Sequence, residues 1–78
     1  MRIVAIGRAD EMRGFALAGV ETTRCDSGQE ADSAISAMSR AGSDVGLVLV
    51  SRSIAALAVP AIARARAGGA PAVFLILP

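Results

Sequence analysis

Val45-Gly46-Leu47-Val48-Leu49-Val50 is the most hydrophobic strand candidate in the chain, with Asp44 before it and Ser51 after it. A run that is apolar at successive positions describes a strand buried on both faces, as found inside a parallel sheet. Arg2-Ile3-Val4-Ala5-Ile6 repeats that pattern near the N-terminus and is closed by Gly7. These two runs belong in the middle of a sheet, and the rest of the chain is read around them.

Two weaker strands flank them. Val20 to Arg24 is rich in Val and Thr, which suits a short edge strand. Ala72 to Leu77 is the fourth. Between the first two strands, Asp10 is expected to cap a short helix, with Glu11 in its first turn favouring the helix dipole. Met12, Phe15, Ala16 and Gly19 fall at i, i+3, i+4 and i+7 and share a face. Phe15, one of two phenylalanines, is the expected core anchor. Gly14 costs roughly 1 kcal/mol against alanine in such a helix, so a packing reason is expected for it. Gly19 is the stop, because glycine takes positive φ without a Cβ clash. Leu17 falls off the buried face.

Ser27-x-x-Glu30 is a capping box opening a helix to about Ala41, with Gly42 as its stop. Ala31, Ala34, Ile35 and Met38 form its inner stripe, narrow enough for close packing on a sheet. After the central strand, Ser51 or Ser53 caps a helix in which Ile54, Leu57, Ala58, Ala61, Ile62 and Ala65 keep helical spacing to about Ala67. Pro60 predicts a kink or break near Val59. Gly68-Gly69-Ala70-Pro71 then turns the chain.

The order β-α-β-α-β-α-β with short links implies an α/β fold, a doubly wound parallel sheet with helices on both faces. Right-handed crossovers and two central strands give the order 2-1-3-4. Residues 1–78 suit one domain. A domain of this size buries only about 60% of its unfolded surface, so its stability is marginal unless a partner helps. Hydrophobic content is 54% and mean hydropathy +0.57, high for a free domain. Either a compact core or another protein covers that surface.

Composition narrows the function. Net charge is +1, and the eight basic residues are scattered arginines with acids between them. With no basic block and few aromatics, nucleic-acid binding has little support. There is no histidine, which argues against an ordinary zinc site. Cys25 is alone and fits a reducing compartment. The longest uncharged stretches, Ser53 to Ala63 and Ala67 to Pro78, are shorter than the ~18–20 residues of a membrane span and contain proline. No signal-peptide pattern precedes Arg8 and Asp10.

In a doubly wound sheet, ligands bind beyond the carboxyl ends of the strands at the switch point. Arg8, Asp10, Glu11, Ser51, Arg52 and Ser53 fall there. Neither a Gly-x-Gly-x-x-Gly loop nor a Gly-x-x-x-x-Gly-Lys-Ser/Thr loop is present. A serine nucleophile would lack a histidine base. A phosphoacceptor receiver needs an aspartate where Ser51 stands and a lysine further on, and the chain has no lysine. Arg8, Asp10 and Arg52 form either an ion-pair cluster or, the preferred reading, a solvated rim with Asp10 as a cap. Cys25 reads as a small residue at a strand end, since Arg24 would point the other way in a strand. Pro60 is either a tolerated kink or a bend presenting Arg64 and Arg66 to a partner.

Gly14-Phe15-Ala16-Leu17-Ala18-Gly19-Val20 resembles the Gly-Phe-x-Leu-Ala-Gly-Val/Ile signature of the F subunit of the vacuolar/archaeal-type rotary ATPases. Met1-Arg2-Ile3-Val4-Ala5-Ile6-Gly7 is similar to that family's opening strand. Asp44 to Ser51 followed by Ile54-Ala55 is similar to its third strand, and Pro71-Ala72-Val73 to its fourth. The similarity covers nearly the whole chain, and the heptapeptide in register with the other three segments is its most specific part. Arg8 departs from the family's aspartate, and Pro60 interrupts a helix that is regular in the family. The family's C-terminal segment beyond the fourth strand is missing here, so regulation through such a tail is not carried over.

The resemblance implies a non-catalytic central-stalk subunit without a cofactor. It would bind the coiled-coil axle and other stalk or headpiece subunits, cytoplasmic and peripheral to the membrane, and couple ATP turnover to proton or sodium-ion transport. Arg13 and Leu17 on the first helix and Arg64 on the third are the candidate contacts. The rival readings are a small phosphotransfer or ligand-binding domain using the switch-point cleft, and a receiver-like domain without catalysis. A deep cleft lined by Asp10, Ser51 and Arg52 would favour these rivals. A shallow one, with an apolar patch elsewhere, would favour the rotor.

Overall fold

The computed structural model describes residues 2–40, 42–69 and 71–78. Strands β1 (Arg2–Gly7), β2 (Glu21–Arg24), β3 (Val45–Val50) and β4 (Val73–Ile76) form one parallel sheet in the order β2-β1-β3-β4. The two runs apolar at successive positions are the inner strands, as their patterning requires. Helices α1 (Ala9–Leu17), α2 (Gly28–Met38), α3 (Arg52–Leu57) and α4 (Val59–Ala67) link them. The chain steps one way from β1 to β2 and the other way from β2 to β3 and β4. Right-handed crossovers therefore place α1 on one face and α2, α3 and α4 on the other.

The three-helix face holds the main core. Val4, Val48 and Phe74 form one row across the sheet by register, and Ile6 and Val50 begin the next. All five are at most 4% exposed and pack with Ala31, Ile35, Ile54, Ala58, Ala61 and Ile62. The alanines let the helices lie close to the strands, which is how so short a chain closes a core.

Local chemistry sets the helix boundaries. The Ser27 hydroxyl accepts from the Glu30 amide at 3.1 Å and opens α2. Glu30 returns the contact one residue earlier than in the standard box, accepting from the Asp26 amide at 3.3 Å. Helix α2 ends at Met38, short of the expected Ala41, because the Ser39 hydroxyl donates to the Ile35 carbonyl at 2.6 Å and closes the last turn. Ala41 itself lies outside the described residues, as does Ala70 in the turn before β4. Pro60 divides the third helical segment as expected: α3 stops at Leu57, and Pro60 sits in the first turn of α4, where its missing N–H has no intrahelical acceptor to lose.

Helix α1 departs from the expectation in three ways. Its N-cap is Arg8, and Asp10 lies inside the first turn. The capping contact comes from Glu11, whose carboxylate accepts from the Arg8 amide at 2.9 Å. Second, Phe15 is only half-buried, and Ala16 and Gly19 are exposed, leaving Met12 as the one buried side chain of α1. Among the described residues the helix packs chiefly on β1 and β2 with no second helix alongside it, so only the residue aimed straight at the sheet is enclosed. Third, Gly14 has no packing reason, since an added Cβ would meet nothing within 4 Å. Gly19 does take the stop conformation, with φ at 84°.

Candidate functional site

The switch point lies between β1 and β3, where the chain leaves the sheet in opposite directions. Gly7 ends β1 and is enclosed: a Cβ there would sit 2.8 Å from both Met12 Cε and Ser51 Oγ. Ser51 follows β3, is 3% exposed, and accepts from the Ile54 amide as the cap of α3. Its own amide donates to the Ile6 carbonyl at 3.0 Å, so the two strand ends are sewn together. Ser53, one step into α3, donates its hydroxyl to Glu11 at 2.8 and 3.0 Å from the two carboxylate oxygens.

The Glu11 carboxylate thus occupies the crevice where a doubly wound sheet would hold a ligand's anionic group. The hydrogen bond from the Arg8 amide, followed by that from Ser53, holds Glu11 below the usual carboxylate range. The chain's own carboxylate stands at that place, with the Arg8 charge close enough to favour its ionised form. Arg8, Asp10 and Arg52 form no ion pair with one another among the described residues. They make a solvated rim, although the capping is done by Glu11. No group of three His, Cys, Asp or Glu side chains is placed to hold a metal ion among those residues. Cys25 follows β2, is fully buried and donates its amide to the Gly7 carbonyl. Burial and then the nearby Glu30 and Asp26 charges push its thiol pKa up, the opposite of what nucleophilic reactivity needs.

The grooves lie away from this crevice. One runs between α2 and the α3–α4 corner, lined by Gly28, Asp32, Leu57 and Pro60. Another lies between α1 and β2, lined by Met12, Arg13, Thr22 and Arg24. Ser33 also lines the first groove, but the Asp32 carboxylate beside it accepts from Ser36 and Arg64, and the second groove has no carboxylate in its lining.

What the molecule does present is apolar surface. On the α1 side of the sheet, Ile3 pairs with Leu47 and Leu47 with Val73, while Ala5 pairs with Leu49 and Leu49 with Leu75. Only Ala5 is fully covered; Leu47 and Leu49 are half-buried, and Ile3, Val73 and Leu75 are 39%, 64% and 53% exposed. The strand ends thus carry the chain's own carboxylate, and the sheet face on the α1 side is open and apolar. Over residues 3–78 the chain matches the family model described as ATP synthase (F/14-kDa) subunit.

The chain belongs to the family of ATP synthase F/14-kDa subunits. A comparison with curated proteins returns no match. The resemblance to the F subunit of the vacuolar/archaeal-type rotary ATPases therefore holds across the chain. Its signature heptapeptide is the second half of α1 together with the Gly19 turn, and its opening and third strands are the inner pair β1 and β3. No helix among the described residues is long and apolar enough to cross a membrane.

The residues singled out from the sequence as contacts fall on different parts of this protein. Leu17 is 84% exposed and lies one turn beyond Arg13 on the same side of α1, the side facing the β2 edge. Arg64, on the opposite layer, pairs with Asp32 of α2 at 2.7 Å. Its neighbour Arg66 donates to the Phe74 carbonyl at 2.9 Å, so both arginines of the α4 bend are engaged within the chain. Sequence reasoning missed the open face. Strand β4 is apolar at every position, which reads as burial on both sides, and only the count of helices on each face shows that one side lacks cover.

Proposed function

We propose that this chain is a non-catalytic rotor component in the central stalk of a vacuolar/archaeal-type ATP synthase or ATPase. In this role it binds the coiled-coil axle, rotates with it, and takes part in coupling ATP turnover to proton or sodium-ion transport. It works in the cytoplasm, peripheral to the membrane, as a single domain of residues 1–78 whose contacts are drawn from Arg13, Leu17, Arg64 and the open sheet face. The observation that supports this reading is the pairing of a switch-point crevice filled by Glu11 with an uncovered apolar surface, in a chain of the ATP synthase F/14-kDa family. Rigidity and a contact patch are the physical demands of such a part, and neither needs a catalytic group.

The test is affinity capture with the tagged axle protein of the same rotary ATPase. Retention of this chain at one copy per axle supports the reading. A chain that stays in the flow-through while remaining folded overturns it.

A further inference from the structure

We propose that Arg66 guards the outer edge of β4, and that the partner it keeps off is a second copy of this chain. The inference stands apart from the rotor reading. The sheet has two edges, β2 and β4. An edge strand offers unpaired N–H and C=O groups to any other strand, and charged side chains on it are one protection. Strand β2 carries a charge at each end, Glu21 and Arg24. Ala72-Val73-Phe74-Leu75-Ile76-Leu77 carries none and lies between Pro71 and Pro78. An uncharged apolar segment with no internal proline or glycine is the kind that pairs with identical copies of itself.

Register shows which backbone groups are at stake. The Leu77 amide donates inward to the Val50 carbonyl at 2.8 Å, and Val50 pairs with Ile76. Residues of a strand that bond to one neighbour alternate with those that face the other way. The N–H and C=O of Phe74 and Ile76 therefore point away from the sheet. Two copies related by a two-fold axis at Leu75 would set Phe74 of one opposite Ile76 of the other, and each such pair would exchange both hydrogen bonds. Arg66 stands in the way. From the last turn of α4 its Nη2 donates to the Phe74 carbonyl at 2.9 Å. That bond takes an acceptor the second copy needs, and it lays a charged guanidinium across the edge.

The experiment is sedimentation velocity over a concentration series on the full chain, with hydrogen exchange read at the Phe74 and Ile76 amides. Circular dichroism and thermal melting serve as fold controls. The wild type is expected to stay monomeric, as is Arg52→Ala, which loses the same charge from an exposed site. Arg66→Ala is expected to dimerise with a Kd at least about tenfold below that of the wild type, the order that one added hydrogen bond gives. In that dimer the Phe74 and Ile76 amides exchange slowly. Ile76→Pro removes an outward N–H at a place where an edge strand tolerates proline. Added to Arg66→Ala it is expected to restore the monomer, whereas Ile76→Ala, which also loses the side chain but keeps the N–H, is not. Should Arg66→Ala melt far below the wild type, Arg66→Met keeps the aliphatic stem and is read in the same way. An Arg66→Ala chain as monomeric as the wild type overturns the inference. So does a dimer that Ile76→Pro leaves intact or whose Phe74 and Ile76 amides still exchange fast, equal dimerisation by Arg52→Ala, or a wild type already paired through β4.

Discussion

Ser53 donates its hydroxyl to the Glu11 carboxylate, 2.8 Å from one oxygen and 3.0 Å from the other, and ties the start of α3 to the start of α1. The two residues stand 42 apart in the chain and meet only because β1 and β3 are neighbours. The contact closes the crevice that other doubly wound sheets leave for a ligand. It has a signature in pH. The folded pKa of Glu11 is lowered, first by the Arg8 amide and then by Ser53. A lowered folded pKa contributes stability above the unfolded value of roughly 4, and that contribution is lost as pH falls through the folded value. Melting temperature should hold from neutral pH to about 5 and drop below about 4. Glu11→Gln should melt lower than wild type at pH 7, and the gap should close in acid. Calorimetry at both ends of the range checks this; a gap unchanged at low pH would contradict it.

Two glycines give opposite expectations. Gly7→Ala forces a methyl to within 2.8 Å of Met12 Cε and Ser51 Oγ, and overpacking of this kind costs about 1–3 kcal/mol. Gly14 lies in a helix with open space around its Cα, so Gly14→Ala should gain roughly 1 kcal/mol from helix propensity. Urea unfolding of both variants checks the pair. Destabilisation by Gly14→Ala would mean that the helix at that position packs against a neighbour.

The Ser27 cap is a plainer case. Ser27→Ala leaves the Glu30 amide without its partner at 3.1 Å, and N-cap loss costs about 1 kcal/mol. Replacement by Asp should retain most of the stability and by Ala should not, as read from denaturation midpoints.

How much of this is legible in the sequence depends on range. The strand order 2-1-3-4 agrees with placing the runs Ile3–Ile6 and Val45–Val50 inside, although β4, apolar throughout, lies at an edge. The Pro60 break, the Gly19 stop and the Ser27 cap are local chemistry and read directly. Phe15 and Gly14 depart from expectation for a common reason: helical spacing says which residues share a face but not how much lies opposite it. Phe74, the other aromatic, is 4% exposed because three helices cover its side of the sheet. The Glu11–Ser53 contact joins elements through tertiary structure, and no local pattern announces it.

Cys25 should behave as an inert core thiol. It is fully buried, and its pKa is raised first by burial. A thiol reagent at pH 8 should modify the native chain at the rate of global unfolding, and modify it at once in denaturant. Fast labelling of the native chain would contradict the packing described around the end of β2.

Arg64 separates contact from stability. Its pair with Asp32 is exposed on both sides, 63% and 45%, and exposed pairs contribute little to folding. Arg64→Ala should leave the melting temperature nearly unchanged, so any loss of axle binding in that variant would report a direct contact.

We propose that this chain binds a coiled-coil axle. Isothermal titration of the chain into the purified axle protein, repeated at several temperatures, tests it most directly. One chain per axle is expected, with a negative heat-capacity change from burial of apolar surface. No measurable heat or complex between the two folded partners would contradict it.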